Sequence, residues 1–383
     1  MGDKYIHKRS RVTDLNSREK SIIGVYHLAR ALDSFLLNMK LLITTCVTAM
    51  CFVGIRCDTT PTSEKKDNVK DVLDEHNVEL TIDPNDDYQL ELVQVMFRHG
   101  DRVPDRAEIY KTDPYDEIFK SHGYGQLTKV GKQRVYKIGQ ILRKRYGGFL
   151  GDYNSSDVYA YSTNVDRTKM SLQLALAGLY PPSIKTSWND KINWSPIPTH
   201  NDPLGTNFLM GFACPRYDHL YEEVRKSAEI QERLRKYNDF YMFLHNQTGI
   251  TTFTPTSIFM IYNNIHAARS LGLDLPKWCS EDDYKTILEI SPIAMRVLTH
   301  TDVMKRILGG LVIEEFLNNI EDRIENSRKI YLFGGHDLNI ASFTNVHNFT
   351  NIPSIPDYGS TIVFEQVKKK DGRDDELYIR VCI

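Results

Sequence analysis

The sequence predicts an α/β protein: a sheet flanked by helices, with a smaller helical subdomain inserted into it. Three observations carry this. Between residues 88 and 182, apolar runs of strand length alternate with helix-period segments. From about 190 to 325, strand signals nearly vanish and long helical stretches take over. From 328 to the end, strands return. A chain of 383 residues has room for one large or two modest domains.

The first strand is "YQLELVQVMF" (88–97), a mostly apolar run and so expected to be buried on both faces. A helix follows in "LTKVGKQRVYKIGQILRKRYGG", where Val135, Ile138, Ile141, Leu142 and Tyr146 recur at helical spacing and Gly147-Gly148 supplies a stop. "DVYAYS" (157–162) is a short strand. "NVDRTKMSLQLALAGLYPP" reads as a helix with Asn164 as N-cap and Gly178 with Pro181-Pro182 at its end. The helical insertion, 190–325, contains "SAEIQERLRKYNDFYMFLHNQTG" and "SEDDYKTILEISPIAMRVL". "RKIYLFGGHD" (328–337) resumes the sheet, and "STIVFEQV" and "ELYIRVCI" close it as a hairpin around Lys370-Asp371-Gly372.

The first 87 residues differ in character. Residues 41–55, "LLITTCVTAMCFVGI", carry no charge and sit between Lys40 and Arg56. Fifteen residues suit a signal-peptide core better than a membrane span, which needs about 20. The expectation is an N-terminal extension with a cleaved signal over 1–57, a polar linker over 58–87, and the folded domain over 88–383. A retained signal anchor is the rival reading, and it alone would bring the protein to a membrane. Four acceptor sequons begin at Asn154, Asn193, Asn246 and Asn348, which with a signal favour a glycosylated product of the secretory pathway. Cys214, Cys279 and Cys382 remain in the body, so at most one internal disulfide forms among them. No cysteine spacing resembles a zinc site. The net charge of -2 provides no basic field for nucleic acid, so any anionic ligand must be held by local cations.

Such cations stand at strand ends. The first strand runs into Arg98-His99-Gly100-Asp101-Arg102; Arg167 opens the helix after "DVYAYSTN"; "IYLF" runs into Gly334-Gly335-His336-Asp337. Ligands of open α/β sheets bind beyond the carboxyl ends of strands, so the three segments can converge on one crevice. Three guanidiniums match the oxygens of a tetrahedral oxyanion, and they can neutralise charge that a metal handles elsewhere. His99, held neutral by its cationic neighbours, is then a candidate nucleophile, and Asp337 a candidate proton donor. Each string alone is weak; their common placement gives the reading its weight.

"VMFRHGDRVP" and "GGHD" resemble the paired motifs of the histidine acid phosphatases, a family within the histidine phosphatase superfamily. "GYGQLTKVGKQRVYKIGQILRKRY", "VYAYSTNVDRTKMS", "WSPIPTH" and "ACPRYDHL" extend the likeness, in order, to the prostatic and lysosomal acid phosphatase branch. The resemblance covers roughly residue 88 to the C-terminus. It implies a mixed, mainly parallel sheet with a helical cap, and hydrolysis of small phosphomonoesters at acidic pH without metal or organic cofactor. It also implies a homodimer. His99 would be the phosphate-accepting nucleophile, Asp337 the proton donor, and Arg98, Arg102, Arg167 and His336 the phosphate-binding groups. Alternatives are a phytase-like or lysophosphatidic-acid-type phosphatase of the same family, or a secreted binding or allergen-like protein with incidental activity. Two departures stand out: Tyr161 replaces an arginine usual in the branch, and Cys214 matches a cysteine whose partner lies in a C-terminal tail not found here.

Overall fold

The computed structural model describes residues 87–203, 207–349, 352–370 and 377–383. The expected signal segment, the linker up to residue 86 and the Asp371-Gly372 turn lie outside the described residues. Strand β1 (Tyr88–Arg98) is followed by α1 (Asp116–His122), α2 (Lys129–Leu150), β2 (Val158–Ser162) and α3 (Asp166–Leu179). Helices α4 (Pro215–Lys226), α5 (Ala228–Arg235), α6 (Asn238–Thr248), α7 (Pro255–Ser270), α8 (Glu281–Val297) and α9 (Asp302–Lys305) come next. Then follow α10 (Leu311–Asn326), β3 (Ile330–Gly335), α11 (Asp337–Val346), β4 (Thr361–Lys369) and β5 (Leu377–Cys382).

The strands form one sheet in the order β2-β3-β1-β4-β5. β1 and β2 both pair parallel with β3, whereas β4 pairs antiparallel with β1 and with β5. Four strands therefore share a direction and β4 opposes them. β1, the longest strand, occupies the centre, and its residues from Leu92 to Arg98 are all buried. Val93, Val95 and Phe97 face α2 and α3 together with Ile330 and Leu332, meeting Val135, Leu142, Leu172 and Leu176. The other face carries Phe333 and Phe364 against Phe316 of α10 and Phe343 of α11, with ring centroids 4.5 to 5.3 Å apart where Phe316 meets Phe333 and Phe364 and where Phe343 meets Phe364. Gln94 on that face is satisfied: its amide donates to Phe316 O (2.8 Å), and its carbonyl accepts from Asn319 (2.9 Å).

Helix ends depart from the sequence expectation where packing outweighs local signals. α2 runs through Gly147-Gly148 to Leu150, which is buried in the core, and stops at Gly151 with φ +68°. Two helical glycines cost about 1 kcal/mol each, which the burial of a leucine side chain offsets. α3 starts after Val165 rather than at Asn164, because the Thr168 hydroxyl reaches back to Val165 O and Thr163 O. Gly178 lies inside α3 and serves close approach, not termination: a Cβ there would stand 2.3 Å from Tyr136 O of α2. The facing Gly139 is equally constrained, with Ala175 O at 2.1 Å from its hypothetical Cβ.

Helices α4 to α9 gather around a second core that includes Tyr217, Leu244, Ile261, Ile287 and Leu308. The helical stretch "SAEIQERLRKYNDFYMFLHNQTG" breaks at Lys236-Tyr237 into α5 and α6. Among the described residues, no helix is long and apolar enough to cross a membrane. Cys214 and Cys279 are both free thiols.

Candidate active site

The parallel pairing of β1 with β3 places two of the candidate strings side by side. Arg98 is the register partner of Gly335, and His99 N–H donates to Gly335 O (3.0 Å). On the opposite side, Arg98 N–H donates to Ser360 O (2.9 Å), and Gly359 N–H donates to His99 O (3.3 Å). The loop then presses onto the start of α2. A Cβ on Gly100 would lie 2.4 Å from Gly131 O, and one on Gly131 would lie 2.0 Å from Asp101 O. Thr128 caps α2 by accepting from Gly131 N–H. The glycine of the string is thus a steric requirement of the turn.

The six candidate residues come together. Arg98, His99, Arg102, His336 and Asp337 are all less than 9% exposed, and the Arg167 side chain is 14% exposed. The rings of His99 and His336 meet edge to face at 5.5 Å. His99 Nδ1 lies 2.9 Å from Gly100 O, a pure acceptor, so Nδ1 carries the proton and Nε2 keeps its lone pair. Burial, then the charges of Arg167 and Arg98, hold its pKa well below the ordinary imidazole value. His336 is pushed down to about 3 by burial and by Arg167, and its Nε2 lies 3.0 Å from Thr163 Oγ1. Both imidazoles are neutral over the mildly acidic range.

The cations are already partnered within the chain, which the sequence did not disclose. Arg102 makes a bidentate pair with Glu108 (2.6 and 2.7 Å). Arg167 Nη1 donates to Asp105 Oδ1 (3.2 Å), and Asp101 turns away to Arg134 of α2 (2.6 Å). Arg98 Nη1 donates to Pro356 O (2.5 Å), and its Nη2 stands 2.8 Å from Asp337 Oδ2 as an ion pair without hydrogen-bond alignment. Burial alone would raise the Asp337 pKa, but Arg98, His336 and Arg102 outweigh it and hold the carboxyl below its ordinary value. Nε of each of Arg98, Arg102 and Arg167 is buried with no hydrogen-bond partner among the described residues. Three buried N–H groups with nothing to donate to have the chemistry to receive an oxyanion.

Asp105 and Glu108 were missed in the sequence, although Pro104 followed by Asp105-x-x-Glu108 has capping-box spacing around the short turn Arg106–Glu108. Tyr358 was missed as well: its ring lies 4.3 Å from the Arg98 guanidinium carbon. Tyr161 donates to Asp202 (2.9 Å) and stacks on Phe208, apart from the six. His200 stacks on Tyr159, a packing role.

The sequence profile described as histidine phosphatase superfamily (branch 2) matches residues 89–383. The chain belongs to that superfamily. The venom acid phosphatase Acph-1 of Apis mellifera is 36% identical over 286 residues, covering 72% of this chain and 74% of that protein. The lysosomal acid phosphatase of Rattus norvegicus is 34% identical, covering 76% of this chain and 70% of its own length. The human prostatic acid phosphatase is 33% identical, covering 76% and 78% respectively. These histidine phosphatase relatives are phosphoric monoester hydrolases by name. Among solved structures, a phytase from Klebsiella sp. ASR1 superposes with a TM-score of 0.58 at 17% identity, covering 78% of this chain and 82% of that one. That likeness carries the histidine phosphatase fold and says nothing of substrate.

Proposed function

We propose that the protein is an acid phosphatase that hydrolyses small phosphomonoesters through a phosphohistidine intermediate. The observation that carries this is a neutral His99, its Nε2 lone pair unengaged, beside three guanidinium Nε–H groups that lack partners. Arg98, Arg102 and Arg167, with His336, hold the phosphoryl oxygens. His99 Nε2 attacks phosphorus in line, the bond to the ester oxygen breaks, and the leaving alkoxide takes a proton from Asp337. Water then attacks the phosphohistidine, Asp337 takes its proton, and phosphate leaves.

Asp337 is ionised in the free site, so its proton must arrive with the substrate. A phosphomonoester has a second pKa near 6. Below that pH it binds as the monoanion, and its proton passes to Asp337 as the ester oxygens meet the arginines. Acid-favoured activity follows from the substrate's protonation, not from that of His99.

Residues 88–383 form the catalytic domain in this reading, with 190–325 as its cap. A secretory or lysosomal destination is supported by the exposure of Asn154, Asn193, Asn246 and Asn348, and by relatives named for lysosome and venom. The test is hydrolysis of an aryl phosphate from acidic to neutral pH by wild type and His99→Ala, with base-quenched labelled substrate. Wild type should turn over and retain base-stable phosphate on the protein, and the variant should do neither. A His99→Ala enzyme with undiminished turnover would defeat the mechanism, and an inactive wild type the whole reading.

A further inference from the structure

Tyr358 lies in the segment before β4 and is 4% exposed. Its ring is packed on every side that the contacts reveal. The Arg98 guanidinium carbon stands 4.3 Å from the centroid, the His99 ring 5.9 Å away, and the His266 ring is stacked on it at 5.0 Å. His266 in turn stacks on Tyr262 of α7 (5.2 Å), and its Nε2 lies 3.1 Å from Asp357 Oδ1, the oxygen that also accepts from Tyr358 N–H (2.7 Å). A phenylalanine would satisfy all of these ring contacts. What tyrosine adds is a hydroxyl, and that hydroxyl is buried without a hydrogen-bond partner among the described residues. Leaving a buried hydroxyl unpaired is unfavourable, so a tyrosine here implies a polar group that joins it in the working state.

The surroundings identify that group. The ring lies over the Arg98 guanidinium and beside the His99 imidazole, and Arg102 and Arg98 are the cations whose charge acts most strongly on the hydroxyl. Burial raises its pKa, so the group is a neutral O–H able to donate. Both of these arginines also present unpartnered Nε–H groups. A donor placed among donors, close to His99, fits an anion rich in acceptor oxygens.

We propose that Tyr358 is a further phosphate-binding residue, whose hydroxyl donates to a non-bridging oxygen of the bound phosphoryl group. It shares a locus with Arg98, since the ring fixes the guanidinium by a cation–π contact while the hydroxyl meets the ligand. His266, anchored to Asp357, holds the ring from the cap side, tying α7 to the phosphate site. The proposal rests on the acid phosphatase reading, and its test is chosen to separate the two.

Inorganic phosphate is titrated into the full chain by calorimetry, for wild type and Tyr358→Phe, alongside steady-state hydrolysis and thermal denaturation. The phenylalanine variant keeps the ring contacts, so its Tm should match or slightly exceed wild type. A hydrogen bond to a charged oxyanion predicts phosphate binding about ten- to a hundredfold weaker, with a loss of similar size in kcat/KM. Phosphate affinity within about twofold of wild type would overturn the proposal whatever happens to turnover, because a structural hydroxyl would move Tm and not phosphate affinity. Failure of wild type to hydrolyse any monoester would sink the acid phosphatase reading instead, and phosphate titration would still decide the role of Tyr358.

Discussion

Replacing Asp337 by Asn separates two effects that the structure places in opposition. Asparagine keeps the size and an oxygen for the Leu338 amide, which now donates to Asp337 at 2.8 Å. It removes both the charge and the transferable proton. Loss of proton donation should cost about 10²- to 10⁴-fold in kcat when the leaving group is a simple alkoxide. Loss of the charge acts the other way. Asp337 stands 2.8 Å from Arg98, and at an effective dielectric of about 20 that pair attracts by on the order of 6 kcal/mol. Released from this partner, Arg98 Nη2 is available to the phosphoryl group, and a repelling carboxylate disappears from beside it. Inorganic phosphate should therefore inhibit the variant more strongly than wild type, even as turnover collapses. The assay compares kcat, KM and phosphate inhibition for an alkyl phosphate and a nitrophenyl phosphate, whose leaving group needs no proton. The nitrophenyl ester should lose far less kcat/KM than the alkyl ester, because kcat/KM reports transfer to His99 and leaves out the hydrolysis step that both esters share. Equal losses of kcat/KM for both esters, or weakened phosphate inhibition, would refute the assignment of Asp337 as proton donor.

Other outcomes follow from burial and packing. His336 is held at a pKa of about 3, while an unfolded histidine titrates near 6.5, so the unfolded chain binds a proton that the folded chain refuses. Its contribution is fully present above pH 6.5 and is lost as pH falls toward 3. Urea denaturation should show that His336→Asn loses less stability than wild type between neutral pH and about pH 4, by about 3 kcal/mol; parallel pH profiles would contradict the buried neutral state. Gly178→Ala drives a methyl against Tyr136 O of α2, an overpacking worth about 1 to 3 kcal/mol. Its Tm should drop by several degrees, and an unchanged Tm would show that α2 and α3 can part without strain.

The site was more legible in the sequence than its surroundings. His99 and Asp337 could be located because each follows an apolar run that reads unambiguously as a buried strand, and chain direction alone then puts both at the same sheet edge. Sequence pattern cannot reveal that β3, distant in the chain, lies between β2 and β1, since pairing is decided by which apolar faces meet. Asp105 and Glu108 escaped because they sit on a turn of three residues, too short for any periodicity. Tyr358 escaped for a related reason: its segment has no repeat, and its significance arises only from Arg98 and His266 lying against it. Gly178 was seen but misread, because a glycine near a helix end signals termination and close helix contact equally well.

The central place of β1 also governs how the protein fails. The peptide units of Arg98 and His99 are bonded on one side to Gly335 and on the other to Ser360 and Gly359. No edge of the sheet can fray far enough to free them without first dismantling β3 or β4. Amide protons of β1 should then exchange with solvent only through global opening, among the slowest in the chain. Heating should not produce a population that is folded but catalytically dead: the loss of activity and the loss of structure should trace the same curve.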